Sequence, residues 1–581
     1  MLNRIAARTS TRARSAVATA FTSQPEPRTI GSFARGRQFL AGNFQFAGEL
    51  ITDQDGGLWG IDCPSVEFEQ ELHGFVWLDD LAATADGPAR KAAQDWLFDW
   101  IARFGRGRGA GWTPDLTARR LIRWINHAVF LLNGQNETSS KAFFQSLSQQ
   151  TVFLNKRWKG AAAGLPKFEA LTGLIYAGLA LEGMSDFVEP AKKALAQECR
   201  EQIDDEGGIP TRNPEELLEV FTLLIWAASA LSKAGEVAGR DHLAAIERIA
   251  PTLRSLRHAD GGLARFHGGG RGLEGRLDHA LAASGVRSSA QQRLSMGYAN
   301  LRGGRSSVIV DASRPPQGQN SVHGHASTLA FELTSGRRPL VVSCGSGLSF
   351  GSEWQRAGRA TPSHSVLGLE GVSSSRLGLD ASGTCEILEY TPKIVEYKQQ
   401  SDAKRSSLQL SHDGYLATHG LAHMRRLDLT LDGRCVSGDD LLVAVSDKSK
   451  KTFDAAMDAI QLQGIVFTVR FHLHPDVDAT LDMGGSAVSL ALKSGEIWVF
   501  RHGENNNGIG ASLSLEPSVY LERNRLNPRP AKQIVLTART IDYASRVSWT
   551  LSKAHDTPDD LRDLARDEDE FLKNEPNGEP R

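Results

Sequence analysis

From about Ala82 to Leu281 the apolar residues recur at helical spacing. The clearest runs are Trp96 to Ile101, Leu121 to Leu132, Phe168 to Leu181 and Leu217 to Leu231, separated by turn-like breaks at Gly105 to Gly111, Asn133-Gly134 and Glu206 to Gly208. This pattern predicts an array of helical hairpins, which by itself suits a bundle, a solenoid or a toroid equally. From Tyr298 onward the period changes. Short alternating runs, such as Ser306 to Val310, Leu427 to Leu431, Val466 to Leu473, Ile497 to Phe500 and Gln533 to Leu536, are punctuated by Gly, Asp and Ser. Many short strands with turn residues between them predict a large antiparallel sandwich. The expected organisation is a 1–35 extension, a 36–290 helical domain, a 291–555 β-sandwich and an acidic 556–581 tail read as solvated.

Composition narrows the function classes. At 581 residues with 40% hydrophobic and 23% charged residues, the chain is ordinary for globular domains, and its net charge of -2 provides no field to attract nucleic acid. Five scattered cysteines without a CxxC pair argue against a disulfide framework or a zinc ribbon. No apolar run is long enough for a membrane span. The first 29 residues are rich in Arg, Ser and Thr and lack the apolar core of a secretory signal. They are read as a frayed, solvated end, with an amphipathic surface helix as the alternative. On these grounds alone the expected location is cytoplasmic.

Candidate chemistry concentrates between Asn320 and Gly347. If a strand begins at His323, then His323 and His325 share one face of it, and the turn at Ser335-Gly336 brings Ser343 and Cys344 back alongside. His364 follows in Pro362-Ser363-His364-Ser365. Imidazoles, a thiol and hydroxyls on adjoining strands suit proton transfer or metal binding. Any one of these histidines alone reads as a hydrogen-bonded strand-end residue. Tyr298 is a candidate proton donor, against the alternative of a packed ring with a satisfied hydroxyl. Arg212 and Asn213, in a loop after Gly207-Gly208, are candidates to meet a carboxylate. Arginine and lysine groups at 103 to 108, 119 to 123 and 156 to 159 would suit a cleft for anionic sugars, and Trp112, Trp124, Trp158 and Trp354 are candidates for ring stacking, with Trp124 preferred as core.

These stretches resemble the heparinase II/III-like polysaccharide lyases. The resemblance is carried by Gly297-Tyr298, Val308 to Asp311, His323-Gly324-His325-Ala326, Leu329 to Leu333, Arg338 to Val342 and Pro362 to Ser365, with weaker support from Asp413 to His423 and from Trp112 with Arg119 to Trp124. It covers about Phe39 to Leu551 and implies an N-terminal α/α toroid joined to a C-terminal antiparallel β-sandwich, with the cleft between them. It further implies β-elimination on an acidic, uronate-containing polysaccharide, with His323 acting in the cleft, and an envelope or periplasmic location. The family's structural zinc would fall at the positions of His325, Ser343 and His364; where the family has aspartate, either Cys344 is the substitute ligand or the metal is absent. Ser327 and Ser343 stand where the family shows Asp. The toroid lacks the family's Tyr-His pair after Asn213-Pro214, and Asn126-His127 reads as helix packing. The expected partner is therefore an acidic polysaccharide, with a homodimer left open. The alternative is a non-catalytic polysaccharide-binding or envelope scaffold protein that kept the fold. A hydrolase using Glu215 and Glu216 ranks last, because adjacent helical residues diverge by about 100°.

Overall fold

The computed structural model describes residues 2–12, 18–23, 29–52, 57–287, 294–503, 510–523 and 525–555. The acidic tail at 556–581 lies outside the described residues. Helices carry the chain to Ser284 and the long sheets begin at Tyr298. The helical half is the α/α toroid and the rest is the antiparallel β-sandwich that the change in hydrophobic period anticipates.

Local signals account for the helix ends. Helices Gly87–Phe104, Pro114–Asn126 and Pro214–Lys233 each start with Pro at the first or second position behind a capping Asp86, Thr113 or Asn213. The run from Leu121 to Leu132 is broken at His127, so it forms two helices. Tryptophans fill the centre: Trp77, Trp100 and Trp124 are fully buried, and Trp124 meets Trp100 edge-on at 5.5 Å. The expected frayed N-terminus is instead a docked helix, Leu2–Arg12, held against Glu137–Arg157 by Asn3 Oδ1 accepting from Arg157 Nε at 2.7 Å and by Gln149 donating to the Thr11 carbonyl at 3.1 Å. Among the described residues no helix is long and apolar enough to cross a membrane.

The sandwich is two eight-stranded antiparallel sheets. One runs Ser512–Tyr520, Arg529–Thr540, Ile465–Leu473, Arg338–Val342, Phe331–Ser335, Ser306–Asp311, Tyr298–Gly303, with Leu367–Leu369 also on Ile465–Leu473. The other is centred on Leu421–Thr430, Cys435–Val443 and Ala544–Lys553. Strand Leu421–Thr430 alternates buried and half-buried residues along its whole length, the period-2 pattern of a strand with one face in the core. Rings from both sheets interlock there, with Phe331 stacked on Trp549 at 5.7 Å and Phe471 edge-on to it at 4.7 Å.

Buried polar contacts join the two halves. Arg265 donates to the carbonyls of Ser343 at 3.2 Å and Leu521 at 2.8 Å, and His258 meets Ser307 Oγ at 3.0 Å. The most heavily bonded link is Arg212. Its guanidinium donates to Asp311 at 2.7 Å and to the carbonyls of Met296, Gly297, Ser313 and Arg314.

Candidate active site between toroid and sandwich

His323 and His325 do not share a strand face. The strand begins only at Phe331, and residues 322 to 330 form turns in which Leu329 takes a left-handed φ of 67°. His323 is solvent-exposed and His325 is 1% exposed. Arg359 holds this turn from beneath, donating to the carbonyls of Gly324 at 2.9 Å and Ser321 at 3.0 Å, and Arg425 donates to the Leu329 carbonyl at 2.9 Å.

Solvent reaches the His323 ring, yet the ring stands in a recess. Gln355 Nε2 lies 3.5 Å from its Nδ1, and Gly268 approaches so closely that a Cβ there would sit 2.8 Å from the His323 Cβ. Gly268 has φ of 88°, so both space and backbone select glycine. Desolvation in this recess, followed by the Arg359 and Arg523 charges, lowers the His323 pKa and keeps the imidazole neutral. Across the recess stand carboxylates of the toroid. Glu67 acts on His323, and Glu215 receives Arg523 Nη1 at 3.0 Å and the Gly270 N–H at 2.8 Å. Glu71 and Glu219 add to the field on Arg523.

The other site candidates are engaged internally. Tyr298 is fully buried; its hydroxyl donates to the Arg212 carbonyl at 2.5 Å, and burial raises its pKa well above the usual phenol. The Arg212 guanidinium, stacked 4.7 Å from the Tyr298 ring centroid, is saturated by Asp311 and main-chain carbonyls. Asn213 Oδ1 accepts from the N–H groups of Glu215 and Glu216, so it caps a helix. The sequence reading missed His267, Asp311, Arg359 and the Glu215–Arg523 pair. His267 carries the one available signal, preceding Gly268-Gly269-Gly270 with a left-handed φ of 48°. Its Nδ1 accepts from the His325 N–H at 3.1 Å, so Nε2 holds the proton and faces Asp311 at 3.5 Å. Ser327 donates to the same carboxylate at 2.7 Å. Burial works to raise the Asp311 pKa, but Arg212, His267 and Ser327 outweigh it and hold the carboxyl well below the usual range.

A zinc ion at His325, His364 and Cys344 does not fit these residues. His325 Nε2 accepts from the Gly268 N–H at 3.1 Å, which puts the ring proton on Nδ1 and leaves no free lone pair to bind a metal. His364, its pKa pushed by burial down to about 3, bonds Ser343 Oγ at 3.1 Å through Nδ1, and its Nε2 is unpartnered. Cys344 is turned away from both: its Sγ lies 3.4 Å from His472 Nδ1 and 3.8 Å from Ser518 Oγ. Among the described residues no group of three or more His, Cys, Asp or Glu side chains is arranged to hold a metal ion.

The arginines of the 119–123 cluster are also engaged internally. Arg119 makes a two-pronged pair with Glu169 at 2.7 and 3.0 Å, Arg123 pairs with Asp79 at 2.8 Å, and Arg120 is fully buried over the Trp100 ring at 4.4 Å. Trp112 and Trp124 are core, whereas Trp354 is 37% exposed beside Gln355.

Comparison with known proteins agrees with this architecture. Residues 287–550 match the model of the heparinase II/III-like C-terminal domain. FtsZ-localized protein C of Caulobacter vibrioides is 29% identical over 541 residues, spanning 91% of this chain and 89% of that protein. The crystal structure of a heparinase III superposes with a TM-score of 0.68 at 14% identity, covering 95% of this chain and 90% of the other. The heparan sulfate lyase of Pedobacter heparinus gives 0.56 at 14% identity, with 95% and 87% covered. Residues 287–550 are thus a heparinase II/III-like C-terminal domain, and the whole chain shares the toroid-plus-sandwich fold of the heparinase III structure.

Proposed function

We propose that this protein binds a polysaccharide in the toroid–sandwich cleft without cleaving it. One observation carries the reading. Of the four residues put forward as catalytic groups or as partners for the substrate carboxylate, only His323 is open, while Tyr298, Arg212 and Asn213 are all consumed by internal bonds. β-Elimination needs a base, a partner for the uronate carboxylate and an acid for the leaving oxygen. A lone neutral imidazole supplies at most one of these. Half-buried Gln355, 3.5 Å from the ring, suits contact with sugar hydroxyls, and its exposed chain neighbour Trp354 suits stacking on a sugar ring. The chain is also similar to FtsZ-localized protein C. On that likeness we extend the proposal to localisation with FtsZ, which imaging a fluorescent fusion together with labelled FtsZ tests.

A specific observation favours lyase activity as the second reading: the exposed His323 imidazole is neutral and so is competent as a base. One experiment separates the two. Purified protein is mixed with acidic and neutral polysaccharides while ultraviolet absorbance of unsaturated uronate and binding are followed together. Binding that weakens in His323→Ala and Trp354→Ala, with flat absorbance, supports the binding protein. Rising absorbance that His323→Ala abolishes establishes the lyase, and absence of binding to every polymer refutes both.

A further inference from the structure

The toroid carries a solvent-open crevice whose wall residues all belong to the helical half. Its walls come from Thr29-Ile30 and from helices Val76–Thr84, Pro114–Asn126, Pro214–Lys233 and Arg276–Ser284. We infer that this cavity binds a small amphipathic carboxylate, with its head at Arg123 and Arg276 and its apolar body along Trp226 and Ile225.

The polarity of the walls supports that assignment. Trp226 and Ile225 are 8% and 5% exposed and give the cavity an apolar side. At the mouth Ile30 and Leu273 are 45% and 47% exposed, an apolar rim that an acyl or aryl chain would cover. The polar side has a surplus of donors. Each guanidinium already has a carboxylate, Asp79 for Arg123 and Glu219 for Arg276, and the Asp79 oxygens are taken: Oδ2 by Arg123 Nε at 2.8 Å and Oδ1 by His127 at 2.9 Å. Thr222 gives its hydroxyl proton to the Leu218 carbonyl at 2.7 Å. Arg123 further donates through Nη1 to the Arg119 carbonyl, and Arg276 pairs through Nη2 with Glu219. A guanidinium has more N–H groups than these contacts use, so the cavity offers donors in search of acceptors. A carboxylate supplies acceptors in the planar arrangement that arginine matches. A cationic amphiphile of the same length would meet the same apolar wall with the wrong head group.

Titration calorimetry on the full chain tests this with decanoate, decanol and decyltrimethylammonium as probes. The expected result is saturable one-to-one binding of decanoate, with the alcohol and the cation at least about tenfold weaker. Arg276→Gln should weaken decanoate by about tenfold or more. Because that change also removes the contact to Glu219, the second variant is Ala283→Trp, an exposed wall position where a large ring blocks the cavity without touching the core. It should abolish binding while circular dichroism and thermal melting match the parent. Absence of saturable decanoate binding, equal binding of the cation, or binding unchanged in Ala283→Trp would each overturn the assignment.

Discussion

At the scale of single residues, one buried group matters more to folding than the exposed imidazole does. Asp311 is 0% exposed and faces Arg212, His267 and Ser327. Asp311→Asn leaves the Arg212 cation without its counter-charge, a loss expected to cost about 3–5 kcal/mol in denaturant unfolding. The sign of its pH dependence follows from its lowered pKa: the stabilisation is present above the unfolded value of about 3.9 and disappears as pH falls below it. Glu216 behaves oppositely. Burial pushes its carboxyl up to about 6, so the protein is favoured with Glu216 protonated and loses stability as pH rises from about 4.5 to 6. Glu216→Gln should therefore stabilise the protein at pH 8 by about 1–2 kcal/mol and flatten the melting profile across that window; an unchanged profile would contradict the assignment. The His325 tautomer leads to a third expectation, that protein purified without added metal carries well under about one zinc per ten chains by elemental analysis.

At the scale of elements, the turn at 321–325 depends on Arg359, in the helix Ser352–Arg359, which donates to its carbonyls from a site 3% exposed. Arg359→Met strands two buried carbonyls at about 1–3 kcal/mol each and should speed amide exchange at 321–325 ahead of the rest of the sandwich. Equal protection in parent and variant would show that another contact holds the turn. Elements were the most legible level in the sequence. The runs from Phe168 and Leu217 form helices because both are long apolar stretches opening on Pro, the second behind the Asn213 cap, and the Ser335-Gly336 turn forms the expected hairpin, with Gly336 at φ 55°. The strand assumed at His323 failed because Gly324 and the left-handed Leu329 interrupt it, while Arg359 and Arg425, distant in sequence, supply the bonds that a sheet neighbour would have given.

At the scale of the whole molecule, two kinds of contact join the halves, and they should not weigh alike. Arg523–Glu215 spans the cleft with Arg523 half exposed, so water and salt screen it; Arg523→Ala should change stability by no more than about 1 kcal/mol. Arg212–Asp311 is sealed, and its loss should be severe. Thermal melts of the two single variants side by side test that contrast, and comparable losses would mean that the cleft pair is structural.

Hydrophobic period, turn residues and helix caps are local, and they determined where helices give way to strands and which runs pair as hairpins. The residue pattern around His323, Tyr298 and His364 also sufficed for the family resemblance. Exposure and partnership belong to the tertiary structure alone, because they depend on chain segments far apart in sequence. Packing buried Tyr298 and Arg212 against each other, 86 residues apart, and turned Cys344 towards His472, 128 residues away. Glycine at 268 then leaves a recess in which the His323 side chain remains open to solvent.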